Sequence, residues 1–225
     1  MRLTWRTTLA GLLCLPVAVL AHNISDSNAQ FVEALVGPAI VPFLYLGAKH
    51  MVTGYDHLLY LVGVVFFLSQ PRDILLYVTL FAIGHSVTLL LGVLAGLNVN
   101  ANLVDAIIGL SIVYKAFENL GGFQRLFGIS PDTRVAVFVF GLCHGLGLAT
   151  KLQEIALSDD GLLTNMISFN LGVELGQMLA LTFILLLLLP WRQSGHFAGQ
   201  AYAANSLLMV AGFILAGYQL AGYYL

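Results

Sequence analysis

Long apolar runs with very few charges dominate this sequence and limit what it can fold into. Between Leu179 and Leu189 the only polar residue is Thr182. Of the 225 residues, 59% are hydrophobic and 9% are charged, whereas soluble domains contain roughly 25% charged residues. Runs of this kind are buried in lipid, so we predict an all-α integral membrane protein. The net charge of -2 provides no basic face that would bind nucleic acid.

The first 21 residues have the pattern of a secretory signal peptide. Arg2 and Arg6 precede an apolar stretch, Leu9–Leu20, and Ala21 is a small residue before the expected cleavage point. An uncleaved anchor is the alternative, but this stretch is shorter than the roughly 20 residues that a membrane span needs. We therefore predict a mature chain that begins at His22.

The rest of the chain divides into two regions. Residues 22–54 are predicted to be a periplasmic N-terminal and interfacial or re-entrant segment, because Gly37, Pro38 and Pro42 interrupt its apolar stretch. Residues 55–225 are predicted to form a six-transmembrane-helix bundle. The predicted spans are 55–70, 73–96, 101–120, 133–153, 161–189 and 202–223.

Basic residues predict the orientation, because short cytoplasmic loops carry the excess of Lys and Arg. Lys49 and Lys151 lie on one side of the six-span arrangement. The opposite side holds a larger group: Arg72, Arg125, Arg134 and Arg192. This pattern predicts an inner-membrane protein whose mature N-terminus and C-terminus are both periplasmic.

Glycines recur inside the fourth and fifth predicted spans. They are Gly141, Gly145, Gly147, Gly172 and Gly176. Small residues four apart let helix backbones approach closely in lipid, so we interpret these glycines as packing positions. Lys115 and Glu118, three residues apart in the third span, are predicted to form an ion pair.

His50, Asp56 and His57 form a His-x5-Asp-His motif directly before the apolar run Tyr60–Leu68. Ionisable side chains are costly at membrane depth, which favours a functional role. On a continuous helix the two histidines would share one side, but Gly54 is a candidate break between them. We interpret the three residues as metal ligands.

Further ionisable residues follow within the predicted spans. His85, His144 and Glu174 each lie roughly 15–20 Å from a membrane face, at about 1.5 Å per helical residue. Asp105 lies nearer the outer surface. Each histidine taken alone could be a buried hydrogen-bonding residue, but together they favour a metal path that leads inward.

The fifth predicted span carries a polar stripe. Asn170, Glu174 and Gln177 recur at i, i+4 and i+7 and so share one helix face. We assign Asn170 and Gln177, together with Asp105 and His22, supporting roles near the metal. The roles of Asp56 and Asp105 stay open: each carboxylate either binds the metal directly or orients a histidine that does.

The types of side chain indicate the kind of ion. Imidazole and carboxylate groups together suit Ni²⁺, Co²⁺, Zn²⁺ or Cu²⁺, whereas Mg²⁺ and Ca²⁺ favour oxygen ligands alone. After the signal peptide, Cys143 is the only thiol. The scarcity of thiolates argues against a tight structural zinc site and favours a labile one.

At these residues the sequence resembles the HupE/UreJ family of bacterial membrane proteins, which is associated with nickel or cobalt uptake. The matching stretches are LGAKHMVTGYDHLLYLVG (46–63), FAIGHSVTLLLG (81–92), DAIIGLSIVYKAFENL (105–120), FGLCHGLGLA (140–149) and FNLGVELGQ (169–177). The resemblance implies that the His-x5-Asp-His motif recognises the metal. It also implies supporting roles for His85, His144 and Glu174. The family pattern has Glu in place of Asp105 and Ala in place of Gly109.

We therefore expect a permease that imports a divalent transition metal, with nickel as the expected ion and cobalt, copper or zinc as alternatives. The sequence has no Gly-rich nucleotide-binding loop, so no built-in ATPase is expected. The expected partners are the lipid bilayer and the metal ion. Whether the protein forms a homo-oligomer or belongs to a larger membrane complex stays open.

Two other classes of function compete with transport. One is an intramembrane zinc hydrolase in which His57, His85 and His144 hold zinc, with Ser86 next to His85. The other is a metal-handling assembly factor or subunit of a membrane oxidoreductase. Zinc retained in stoichiometric amount would favour the first, and a co-purifying partner would favour the second.

Histidine ligation predicts that metal uptake falls as the pH drops through about 6.5, the ordinary histidine pKa, because a protonated imidazole cannot bind a metal. Initial uptake rates measured at about pH 5.5 and about pH 7.5 check this. Equal rates at the two pH values would count against histidine ligands.

Overall fold

The computed structural model describes residues 26–97, 99–155 and 157–224. The predicted signal peptide and His22 lie outside these residues. In the part of the chain so described, helices are joined by turns and irregular segments, and there are no strands. Its helices, in chain order, are α1 Asp26–Glu33, α2 Ile40–Thr53, α3 Tyr55–Val65, α4 Pro71–Ala95, α5 Ala101–Asn119, α6 Gly122–Phe127, α7 Thr133–Gln153, α8 Leu162–Gln193 and α9 Phe197–Tyr224.

Within the described ranges, four helices are long and apolar enough to cross a membrane, namely α4, α7, α8 and α9. Helix α5 has 19 residues but carries Asp105, Lys115 and Glu118. Helix α3 has only 11 residues, or about 16 Å, which is shorter than the roughly 30 Å hydrocarbon core. The all-α fold is confirmed, its four long apolar helices are candidate membrane spans, and the count of six spans stays a prediction.

Gly54 separates α2 from α3. Its backbone is extended, with φ -73° and ψ 104°, and its N–H donates to the carbonyl of His50. A Cβ added at this position would lie 3.0 Å from that carbonyl oxygen and 3.0 Å from Nδ1 of His57. Glycine thus lets the chain end one helix and begin the next within a single residue. The first predicted span, 55–70, is therefore only the short α3.

Helix α2 packs along α8 through glycines on both helices. A Cβ on Gly172 would collide with the carbonyl of Leu44, and one on Gly176 would lie 2.6 Å from the carbonyl oxygen of Ala48. Because residue numbers rise together along this contact, the two helices run in the same direction. The interfacial or re-entrant placement of 22–54 stays a prediction, and the structure adds that 40–53 is a helix packed on α8.

Helices α4 and α7 form a second close pair. A Cβ on Gly141 would lie 2.5 Å from the carbonyl oxygen of Phe81, and one on Gly145 would collide with the carbonyl of His85. These two helices also run in the same direction. Packing at this distance has no room for a side chain, which confirms the interpretation of these glycines.

Helices α5 and α9 form a third close pair and run in opposite directions. A Cβ on Gly109 would lie 2.6 Å from the backbone nitrogen of Ala216. The amide of Asn102 donates to the carbonyl oxygen of Gly222, 3.0 Å away, at one end of the pair. The absence of a side chain at Gly109 therefore lets the two backbones meet.

Polar contacts hold the end of α3 that lies away from Gly54. The guanidinium of Arg192 donates to the carbonyls of Val65, the last residue of α3, and of Phe66 and Leu68, which follow it. Cations stabilise helix C-termini in this way. The predicted ion pair is also confirmed, with Lys115 Nζ 2.9 Å from Glu118 Oε2.

The close approach of α2 and α8 predicts that Gly172→Ala destabilises the protein, because the added methyl group meets the Leu44 carbonyl. Thermal unfolding in detergent should show a lower midpoint than the unchanged chain. Gly217→Ala is the matched control, since a Cβ at Gly217 meets nothing within 4 Å. Equal midpoints for the two variants would contradict this packing.

Candidate metal centre

Three histidines converge around a fourth, His57. Its ring centroid lies 5.0 Å from that of His50, 5.6 Å from that of His85 and 4.9 Å from that of His144. His57, His85 and His144 are each 0% exposed. Imidazoles gathered at such depth are expected to share hydrogen bonds or a metal ion, because buried polar groups are otherwise costly.

The break at Gly54 places the first two histidines. His50 lies in the last turn of α2, and Asp56 and His57 lie in the first turn of α3. A continuous helix would have separated the two rings by seven residues, or about 10 Å along the axis. The extended glycine instead folds the motif back, so that the His50 and His57 rings meet edge to face.

The pairing of α4 with α7 places the other two histidines. His85 lies next to Gly84, and His144 lies between Cys143 and Gly145. Gly145 packs directly on the backbone carbonyl of His85. Thr88 Oγ1 also donates to the carbonyl oxygen of Leu142, at 2.7 Å. These backbone contacts hold both histidines in the same layer of the bundle as His57.

The side chains form two groups that could hold a metal ion. In one, donor atoms of His50, His57 and His85 all lie within 4.8 Å of one another. In the other, the same is true of Asp56, His57 and His144. An ion about 2.1 Å from each donor would hold those atoms within about 4 Å of each other, so small side-chain rotations suffice. His57 belongs to both groups.

Asp56 orients His57. Its Oδ1 lies 2.9 Å from the backbone nitrogen and 3.1 Å from the ring Nδ1 of His57. An ionised carboxylate only accepts hydrogen bonds, so Nδ1 carries the proton and Nε2 carries the lone pair. A carboxylate behind a histidine is a common arrangement in metal sites. Asp56 also belongs to a ligand group, so the two roles left open by the sequence are compatible.

His85 is the side chain that most directly fits a ligand. It is fully buried, and within the described part of the chain neither of its ring nitrogens has a hydrogen-bond partner. Buried polar atoms without a partner are uncommon in proteins, and a bound metal ion is one physical explanation for them. A divalent metal among these imidazoles would provide that partner.

The remaining sequence-predicted residues lie outside both ligand groups. Asp105 Oδ2 lies 2.7 Å from Lys151 Nζ in an ion pair between α5 and α7. Asn170 is buried, and its amide donates to the carbonyl of Met166. Gln177 is buried and donates to the carbonyl of Val78, which joins α8 to α4. Asp105 and Gln177 thus join helices around the cluster, whereas the Asn170 bond stays within α8.

Glu174 departs furthest from its predicted position. It is exposed on α8, whereas Asn170 and Gln177 on the same helix are buried. Four residues on from Asn170, a side chain points about 40° further round the helix. That rotation is enough to carry Glu174 past the edge of the buried stripe. The expected position of Glu174 beside the histidines is not what the structure has.

Sequence reasoning missed Ser111 and the partner of Asp105. Ser111 Oγ lies 3.2 Å from His144 Nε2, although 33 residues separate them. That partner is Lys151, which in the sequence indicates only the orientation in the membrane. A lone serine in an apolar span was the available signal for Ser111, but no spacing rule connects it to His144.

The shared position of His57 predicts unequal effects of substitution on metal binding. His57→Ala should weaken Ni²⁺ binding in detergent more than His50→Ala or His144→Ala, because it removes a donor from both groups. We expect a loss above the 10–100-fold typical of orienting partners. Titration calorimetry measures it, with the exposed Glu174→Gln as control. Equal losses for the three histidine variants would contradict a central His57.

Comparison with protein families gives one match, to the model described as HupE / UreJ protein, over residues 26–225. Comparison with curated proteins and with solved structures gives no match. The family match includes all four clustered histidines and Asp56. Because it covers nearly the whole chain, the protein belongs to the HupE/UreJ family.

Proposed function

We propose that this protein is a membrane permease that imports a divalent transition metal ion, with nickel as the expected substrate. The observation that carries the proposal is the convergence of His50, His85 and His144 on His57, inside a bundle of apolar helices. Membership of the HupE/UreJ family supports a membrane-associated function linked to nickel or cobalt. Cobalt, copper and zinc are the competing substrates.

The donor set suits an ion that is bound and then released. Three imidazoles are the donors in one group, two imidazoles and one carboxylate are the donors in the other, and neither group contains a thiolate. Cys143 stands next to His144 but in neither ligand group. Imidazole donors suit nickel and its neighbours in the first transition series, while thiolates would hold zinc or copper more tightly.

The break between α2 and α3 supports a crossing built from two helices. Together, residues 40–65 would extend about 39 Å at the helical rise, which is enough for the hydrocarbon core. The directions of the close pairs agree with this, since α2 runs with α8 and α4 runs with α7. In an alternating six-span bundle those pairs are the first with the fifth and the second with the fourth. Discontinuous helices are a recurrent feature of transporter binding sites.

The depth of the cluster fits a transport site. His85 is 14 residues from Pro71 and 10 residues from Ala95, the two ends of α4. These separations correspond to about 21 Å and about 15 Å. An ion at the cluster would therefore be near mid-membrane. With the periplasmic termini proposed from the basic residues, the membrane potential would favour inward movement by about 2.3 kcal/mol per charge per 100 mV.

One observation favours an alternative. Ser86 lies beside His85, and its Oγ is a buried atom without a hydrogen-bond partner in the described ranges. A zinc ion held by His50, His57 and His85, with a serine nearby, has the elements of an intramembrane hydrolase. Zinc that stays with the purified protein at one ion per chain would favour that reading. An assembly factor would instead bind metal without moving it.

Transport is tested by uptake into proteoliposomes with an inside-negative potential, comparing Ni²⁺, Co²⁺, Cu²⁺ and Zn²⁺. We expect selective uptake that His57→Ala abolishes at equal protein content in the vesicles. His196→Ala is a matched histidine control, because His196 is exposed and outside both ligand groups. Tight stoichiometric retention of metal without uptake would overturn the permease proposal.

A further inference from the structure

The hydroxyl of Ser111 on α5 makes two contacts inside the bundle. Its Oγ lies 2.6 Å from the carbonyl oxygen of Ile108 and 3.2 Å from Nε2 of His144. Ser111 and His144 are both 0% exposed. Both contacts are therefore sheltered from water that could replace them.

These two contacts determine where the protons lie. A serine hydroxyl has one proton, and a carbonyl oxygen can only accept a hydrogen bond. The short contact with Ile108 must therefore use the Ser111 proton. In the other contact Oγ is then the acceptor, so Nε2 of His144 must be the donor and must carry the ring proton.

From this geometry we infer that Ser111 is a positioning residue that holds His144 as the Nε2–H tautomer, so that Nδ1 is the metal-binding nitrogen. The inference rests on the proposed function, because it assigns a role within the same metal site. A second hydrogen bond on a ligating histidine commonly sets its tautomer and ring orientation. Here the partner is a serine on a helix that contributes no ligand to either group.

The assignment makes the second ligand group asymmetric. Asp56 accepts from Nδ1 of His57, so His57 presents Nε2. Ser111 accepts from Nε2 of His144, so His144 presents Nδ1. Nδ1 lies closer to the ring's point of attachment than Nε2. The two histidines therefore reach toward the ion to different depths, and a flipped His144 would place its lone pair elsewhere.

Neighbouring packing keeps Ser111 in place. A Cβ added to Gly147 of α7 would lie 3.0 Å from Cδ1 of Ile108. The absence of a side chain at Gly147 thus lets α5 approach α7 at the level of His144. The bond from Ser111 to the Ile108 carbonyl, three residues earlier on the same helix, fixes the direction of the hydroxyl.

The test uses the full-length protein with ¹⁵N-labelled histidine, and it records ring-nitrogen shifts of metal-free protein. Comparison with His144→Gln identifies the His144 signals. In the unchanged chain we expect a protonated Nε2 and an unprotonated Nδ1. Ser111→Ala should give a mixture of tautomers, and Ser111→Thr, which keeps the hydroxyl, should restore the single form.

A second readout is Ni²⁺ affinity measured by calorimetry. Ser111→Ala should lower it by about 10–100-fold, the range typical of orienting partners, and Ser111→Thr should recover most of the loss. Ser168→Ala is the matched control, because the Ser168 hydroxyl bonds only within its own helix, to the Thr164 carbonyl. Thermal unfolding of each variant separates misfolding from loss of positioning.

An unchanged His144 tautomer in a folded Ser111→Ala variant would overturn the inference, as would equal loss of affinity in the Thr and Ala variants. The tautomer is measured in metal-free protein, so the result does not depend on whether the protein transports a metal. If the tautomer shifts as expected while the unchanged chain takes up none of Ni²⁺, Co²⁺, Cu²⁺ and Zn²⁺, the tautomer assignment holds and the permease proposal fails.

Discussion

Direct contact between helix backbones is the constraint on which the rest of this structure depends. In lipid, helices gain little from burying apolar side chains against each other, so close packing and polar contacts must hold them together. Glycine provides the closest packing. Gly145 meets the carbonyl of His85, and Gly172 meets that of Leu44. These contacts fix the axial position of α4 relative to α7 and of α2 relative to α8. The histidines are thereby brought into one layer.

The histidine cluster depends both on that packing and on a single break between two helices. The extended backbone at Gly54 brings His50 and His57 together, although seven residues separate them. Around them, hydrogen bonds specify how two of the four rings are presented. Asp56 holds His57 and Ser111 contacts His144, while His85 has its two nitrogens buried without such a partner within the described chain. The site is thus oriented by neighbours that come from helices α3 and α5.

The sequence was most informative where a single physical property of the residues accounts for a structural feature. Apolar length predicted a helical membrane protein, and costly buried ionisable groups predicted the cluster members His50, Asp56, His57, His85 and His144. It failed where small rotations decide the outcome. Glu174 shares a nominal helix face with Asn170, yet about 40° of rotation leaves it exposed. Asp105, a predicted supporting residue, forms an ion pair with Lys151 on another helix, a partner that no sequence pattern indicated, and its role near the metal stays a prediction.

Composition and local pattern by themselves determined that the chain is helical, lies in a membrane and carries imidazole donors, because these follow from the solvation of single side chains. Helix α2 and the break at Gly54 were only partly visible, since an interruption of an apolar run does not say how the chain continues. The tertiary structure alone decided that His57 is central, that Ser111 reaches His144 and that Glu174 is exposed. Such facts depend on the rotation and relative level of packed helices, which are set by contacts between residues far apart in the chain.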